Sequence, residues 1–229
     1  MFFPMFDPTM VLLIPALILA FWAQARVHNA YRKFSEVRSA SNLTGAQVAR
    51  RILNTNGLQD VKVESVPGEL SDHYDPRSRT VRLSEGIYNS PSVAALGIAA
   101  HEVGHAIQHH KGYIALRLRH AFLMPANLGS TLAMPLFLAG FFFTSLKILM
   151  DIGIFLFLGA LAFQLITLPV EFNASKRALA QLTATGLLAD FEVAKSRKVL
   201  NAAALTYVAA AAMALLQLVR LLILRESRD

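Results

Sequence analysis

Five consecutive residues, His101-Glu102-Val103-Gly104-His105, carry the most pointed chemistry in the chain. On a helix, residues four apart lie one above the other on the same face. His101 and His105 can therefore aim two imidazole nitrogens at one point, and Glu102 can reach a water held there. Two neutral nitrogen ligands and a carboxylate base are what a zinc hydrolase needs. A bare H-E-x-x-H also arises by chance, as two surface histidines on an ordinary helix, so its surroundings decide. Here the motif follows an apolar, small-residue run, Val93-Ala94-Ala95-Leu96-Gly97-Ile98-Ala99-Ala100, and continues Ala106-Ile107-Gln108. That composition predicts a buried helix. Ser90 as the cap and Pro91 at the first helical position predict its start, and Gly112 its stop. A buried helix that admits two histidines and a glutamate on one turn calls for a reason, and a metal supplies one.

Catalytic zinc takes three protein ligands and leaves one position open. The chain has no cysteine, which excludes disulfides and thiolate sites, so the third ligand must be His, Asp or Glu. Glu171 is the best candidate. It sits in Pro169-Val170-Glu171-Phe172-Asn173-Ala174-Ser175, directly after an apolar stretch from Ile148 to Leu168. Another apolar stretch, about Phe122 to Phe143, follows the motif helix, with Thr144 to Lys147 as the turn between. Each is long enough to span a bilayer. An antiparallel pair of spans returns the chain to its starting side and brings Glu171 towards His101 and His105. Asp190 and Glu192 lie farther along and are weaker rivals. The bland alternative is that Glu171 is a juxtamembrane charge.

The composition agrees with a membrane protein. Of 229 residues, 55% are hydrophobic and only 16% charged, and the mean hydropathy is +0.45, outside the usual soluble range. The net charge of +7 fits basic loops on the cytoplasmic side of a membrane. No aromatic-plus-basic readout motif points to nucleic acid. The first apolar stretch runs from Pro8 to about Ala25, lengthened by Phe2, Phe3 and Phe6 and bent by Pro15. Basic residues follow it rather than precede it, which predicts an uncleaved anchor rather than a signal peptide. Val27, Ala30, Tyr31 and Phe34 recur at helical spacing, so this helix either continues past the membrane or gives way to a solvated basic linker. The last apolar stretch is about Leu200 to Leu224. Lys and Arg cluster between Arg26 and Arg119 and between Lys176 and Lys198, predicting a cytoplasmic active site with both chain ends outside. Arg220, Arg225 and Arg228 argue against an outside C-terminus unless the last stretch does not cross fully.

A compact polar region runs from about Ser41 to Asn89. Thr44-Gly45-Ala46-Gln47 resembles a capping box and opens a helix that Asn56-Gly57 ends. Val61 to Val66 alternates as a half-buried strand. Pro67-Gly68 is a turn, Asp72-His73-Tyr74 a second strand, Asp75-Pro76-Arg77 a turn, and Thr80 to Leu83 a third strand. Ser84 starts a further short helix. The organisation expected is an N-terminal anchor over 1–26, an α+β unit with the motif helix over 27–112, and a membrane hairpin over 113–168. A third-ligand region over 169–199 and a C-terminal membrane helix and tail over 200–229 complete it.

These residues carry a resemblance. Leu43-Thr44-Gly45, Asp72-His73-Tyr74-Asp75-Pro76, Val81-Arg82-Leu83-Ser84, the segment Ala99 to Gln108 around the motif, and Pro169 to Ser175 together resemble the YugP-type, membrane-bound neutral zinc metallopeptidases of bacteria. The likeness covers nearly the whole chain. It implies a zinc peptidase, embedded by several helices in the bacterial inner membrane, with substrates undefined. A more distant likeness is to HtpX-type membrane peptidases, which carry H-E-x-x-H on one helix and a glutamate ligand in E-x-x-x-D on a later one. Glu171 matches that glutamate, but Ser175 stands at the aspartate position. Orientation of a histidine ligand should then rely on another group, for which Asn173 is available.

The fold expected is an α-helical multi-pass membrane protein of about four spans, with a small α+β, zincin-like catalytic unit containing a short antiparallel sheet. In the mechanism expected, His101, His105 and Glu171 hold Zn2+ and Glu102 is the general base. A protein or peptide substrate would pair with an edge strand, where His73 and Tyr74 could donate to the developing oxyanion, unless the two are only an ordinary strand pair near a turn, and Asn173 is a further candidate contact with substrate or transition state. His109 and His110 lie off the ligand face. Two rival readings remain. A site-2-type intramembrane protease would take an aspartate as its third ligand, and Asp151 is the one such residue in the spanning regions, near the wrong end of the hairpin. A non-catalytic zinc-binding scaffold would not need the intact Glu102. The sequence allows a homo-oligomer without indicating one.

Overall fold

The computed structural model describes residues 8–228; the aromatic extension at Phe2, Phe3 and Phe6 lies outside them. A 3-10 turn, Pro8–Leu13, leads into helix α1, Ile14–Ser35. There follow helix α2 (Gly45–Thr55), strands β1 (Lys62–Val66), β2 (His73–Asp75) and β3 (Thr80–Ser84), and helices α3 (Glu85–Tyr88) and α4 (Val93–His110). Helices α5 (Ile114–Phe142), α6 (Ile148–Ala184) and α7 (Asp190–Glu226) complete the chain. The first apolar helix continues unbroken to Ser35, so no basic linker interrupts it. Pro15 stands at the second position of α1, where a missing N–H costs no intrahelical bond.

Among the described residues, four helices are long and apolar enough to cross a membrane: Pro8–Ser35, Ile114–Phe142, Ile148–Ala184 and Asp190–Glu226. The protein is therefore an α-helical multi-pass membrane protein. Its described residues divide into two compact units. The first draws on residues 8–23, 117–169 and 206–228, the second on Gln24–Leu116 and Val170–Leu205.

In the first unit Phe137, Met150 and Leu221 are buried among one another, while Phe21, Met124 and Phe155 are largely exposed. Large apolar side chains turned outwards in such number need a covering other than water. Polar atoms inside it are paired: Arg225 Nε donates to Asp151 Oδ1 at 2.9 Å, and Arg220 Nε to Thr9 Oγ1 at 3.1 Å.

The second unit has an ordinary apolar core. Helix α2 buries Val48, Ala49, Ile52 and Leu53 along one face. Its start is the expected capping box: Thr44 Oγ1 accepts from the Gln47 N–H, and the Gln47 side chain accepts from the Thr44 N–H. The sheet has the order β1-β3-β2, with β2 antiparallel to β3 and β1 parallel to it. It is therefore mixed rather than antiparallel throughout. The reason lies in β3, whose Val81 and Leu83 are fully buried and which takes the central position, whereas β1 and β2 keep partly exposed patterns suited to edges. The expected short helix after Ser84 forms as α3. Helix α4 packs against α2, α3 and the sheet and is buried over most of its length.

Candidate metal centre

Helix α4 positions the motif. Its cap is Ser92, whose hydroxyl accepts from the Ala95 N–H at 3.2 Å, two residues later than Ser90. Ser90 instead bonds Ser92, Oγ to Oγ at 3.0 Å, so the hydroxyl nearer the first free N–H groups takes the capping role. The helix ends at Lys111, and Gly112 follows with φ +61°, the left-handed conformation expected of a helix stop. Within the motif, Gly104 lets α6 approach. A Cβ there would lie 2.6 Å from the Ala174 carbonyl oxygen, so any larger residue would push the helices apart.

That approach brings three side chains together. His101 Nε2 lies 3.2 Å and His105 Nε2 3.5 Å from Glu171 Oε2. One ligand atom from each of the three residues falls within 4.8 Å of the others. Tetrahedral zinc with ligands at about 2.1 Å spaces them about 3.4 Å apart, close to both of these separations. All three residues lie within the second unit. Glu171 is only 2% exposed. Glu102 shares this burial, and its charge acts on His105.

The far side of each imidazole is held. His101 Nδ1 meets Ser175 Oγ at 3.1 Å, and His105 Nδ1 meets Gln108 Oε1 at 3.0 Å. The amide of Gln108 is oriented by its own donors: Nε2 donates to the Val170 carbonyl at 2.8 Å and to Asn173 Oδ1 at 3.0 Å. The atom facing His105 is therefore the acceptor, and Nδ1 must carry the proton. His105 Nε2 then presents either a lone pair or a second proton to Glu171. A lone pair facing a carboxylate oxygen needs a cation between them, either a proton or a metal ion. Burial by itself disfavours the charged ring, but the hydrogen bond to Glu171 and the charges of Glu102 and Glu171 outweigh it and raise the His105 pKa. The donor set fits a zinc ion: two nitrogens with their outer faces bonded, and a buried carboxylate.

The remaining expected residues fall elsewhere. Ser175, at the position where an acidic residue was the pattern, meets His101 itself. Asn173 does not orient a ligand directly; its Oδ1 accepts from Gln108 and, at 2.7 Å, from Arg177 Nε. His73 is exposed on β2, with Nδ1 at 2.8 Å from the Ser71 carbonyl. Tyr74 OH pairs with His109 Nδ1 at 2.9 Å. Glu192 accepts from the Ala40 and Ala189 N–H groups, and Asp151 pairs with Arg225, so neither joins the cluster. Asp72 accepts from the Ser84 N–H at 2.8 Å, and its pKa is raised by burial, opposed by that hydrogen bond and helped by the Glu102 charge. Sequence reasoning missed Gln108 as a member of the site. Its signal was its place three residues after His105 on the same helix.

Comparison with known proteins agrees with this arrangement. A family model described as "putative neutral zinc metallopeptidase" matches residues 9–226. "Putative membrane protease YugP" of Bacillus subtilis (strain 168) is 51% identical over 219 residues, covering 95% of this chain and 97% of that protein. No solved structure matches. With the match running through every element that builds the cluster, the chain belongs to the family described as putative neutral zinc metallopeptidases.

Proposed function

We propose that the protein is a zinc-dependent peptidase, embedded in the membrane, that hydrolyses peptide bonds of membrane or membrane-proximal proteins. The observation that carries this reading is the convergence of His101 Nε2, His105 Nε2 and Glu171 Oε2 on one point, next to Glu102. Zinc, when bound, supplies Lewis acidity towards water and towards the scissile carbonyl. Glu102 accepts a proton from the attacking water and delivers it to the departing amine as the C–N bond breaks. Among the described residues strand β2 pairs with β3 alone, so its other edge is the candidate place for an extended peptide to pair. On that strand, His73 and Tyr74 are the candidate donors to the developing oxyanion. Asn173 commits its carbonyl oxygen to Gln108 and Arg177, so its role is support of the site rather than contact with substrate.

The Lys and Arg distribution supports an active site on the cytoplasmic face of a bacterial cell membrane. Intramembrane cleavage of the site-2 type is disfavoured, because Asp151 is bonded to Arg225 and the acidic member of the cluster is Glu171. A panel comparing soluble loops with transmembrane segments as substrates separates the two. A zinc-binding scaffold is separated by turnover. Replacing Glu102→Gln should leave zinc bound, as measured by metal analysis, and lower peptide hydrolysis by about 10²–10⁴-fold. Full activity in that variant would remove the assignment.

A further inference from the structure

We infer that Gln108 is a positioning residue that sets the metal-binding face of His105 and ties it to the helix carrying Glu171. This rests on the zinc reading above. Gln108 is 0% exposed, yet it is polar and lies on a helix whose other interior residues are almost all apolar. Burying an amide costs free energy unless its groups are bonded. Here the oxygen accepts from His105 Nδ1 at 3.0 Å, and the nitrogen donates to the Val170 carbonyl at 2.8 Å and to Asn173 Oδ1 at 3.0 Å.

Each bond has a consequence. The first fixes the proton on Nδ1 and leaves Nε2 to face Glu171. The second grips the peptide unit immediately before Glu171. The third meets an oxygen that Arg177 Nε also approaches at 2.7 Å, which holds Asn173 in place. One side chain on α4 therefore governs the tautomer of one ligand and the backbone beside another. A glutamine suits this task because its amide offers an acceptor and donors together. Leucine or methionine would fill the volume and offer neither.

Two variants separate positioning from packing. Gln108→Met keeps the shape and loses every bond. Gln108→Glu keeps an acceptor for His105 Nδ1 but cannot donate to Val170. Zinc affinity of the detergent-solubilised full chain is measured by competition with a chromogenic chelator. Alongside it, solvent exchange of the His105 ring proton is followed by NMR in the zinc-loaded protein. Gln108→Met should weaken zinc binding by about 10- to 100-fold and speed exchange of that proton. Gln108→Glu should keep the exchange near the wild-type rate and recover only part of the affinity, since it loses the bonds to the Val170 carbonyl and Asn173, and this reads out even if Gln108→Met fails to fold. Wild-type affinity in Gln108→Met overturns the inference. So does a Gln108→Glu variant whose His105 ring proton exchanges far faster than in the wild type, because the retained acceptor should hold that proton. If the wild-type protein binds no zinc, the peptidase reading fails first and this inference with it.

Discussion

Helix α6 has two halves that obey opposite rules. From Ile148 to Leu168 it turns Ile148, Ile152, Phe155, Leu158 and Leu165 outwards, and Phe155 is 73% exposed. From Val170 to Ala184 it buries Val170, Glu171, Ala174, Ser175, Ala178 and Leu182. The first half shows apolar side chains to a surrounding that a bilayer supplies, and the second conceals a charge. A buried carboxylate has to be compensated, and the two imidazoles of α4 face it at 3.2 and 3.5 Å. Within a single helix, then, exposed apolar residues mark the solvent and buried polar ones mark the chemistry.

Two substitutions test this contrast, the larger effect first. Leu182→Ala removes a fully buried side chain of the second unit and should cost about 2–5 kcal/mol. Phe155→Ala, on the outward face, should stay within about 0.5 kcal/mol despite deleting a larger group. Thermal unfolding of both variants in the same detergent checks this; equal losses would erase the distinction between the halves.

Gly104→Ala acts where the halves of the site meet. A methyl there would press on the Ala174 carbonyl, and relief requires backbone movement. The intrinsic gain of alanine over glycine in a helix is about 1 kcal/mol, whereas overpacking costs about 1–3 kcal/mol. The variant should lose stability and bind zinc more weakly, read by unfolding and by chelator competition. A variant that is more stable and binds zinc normally would show that α4 and α6 do not approach this closely.

A small effect also belongs to the β2–β3 turn. Asp75 is held well below the usual carboxylate range by hydrogen bonds from Ser78, the Arg77 N–H and Arg82. A depressed folded pKa contributes stability above the unfolded value of about 3.9, and that contribution is lost as pH falls towards the folded value. Its surface position limits it to about 1 kcal/mol or less. Asp75→Asn should therefore lower the unfolding temperature slightly at pH 7, and the difference from wild type should shrink at pH 3. A difference that grows at low pH would contradict the sign.

Much of this was legible in the sequence because it depends on local spacing. The four long apolar runs became the four long apolar helices, and Thr44 capped α2 as its pattern required. The H-E-x-x-H spacing placed His101 and His105 on one face, and the hairpin argument pointed to the glutamate that the structure brings beside them. What was not legible depends on how segments meet. The parallel pairing of β1 with β3 follows from β3 taking the centre, which short alternating runs do not announce. Ser175 was passed over in favour of Asn173, and Gln108 was unassigned, because a hydroxyl and an amide acquire a role only once a neighbouring helix supplies the imidazole or the carbonyl they bond. Ser92 replaced Ser90 as the cap through a shift of two residues, which is within the ordinary spread of helix ends.

The central claim is that His101, His105 and Glu171 enclose one metal ion. The most direct test is anomalous diffraction from zinc-loaded crystals, recorded on both sides of the zinc absorption edge. The account predicts a single strong edge-dependent peak within bonding distance of His101 Nε2, His105 Nε2 and a Glu171 carboxylate oxygen. A peak at other side chains, or full zinc loading with no density between these three, would contradict it.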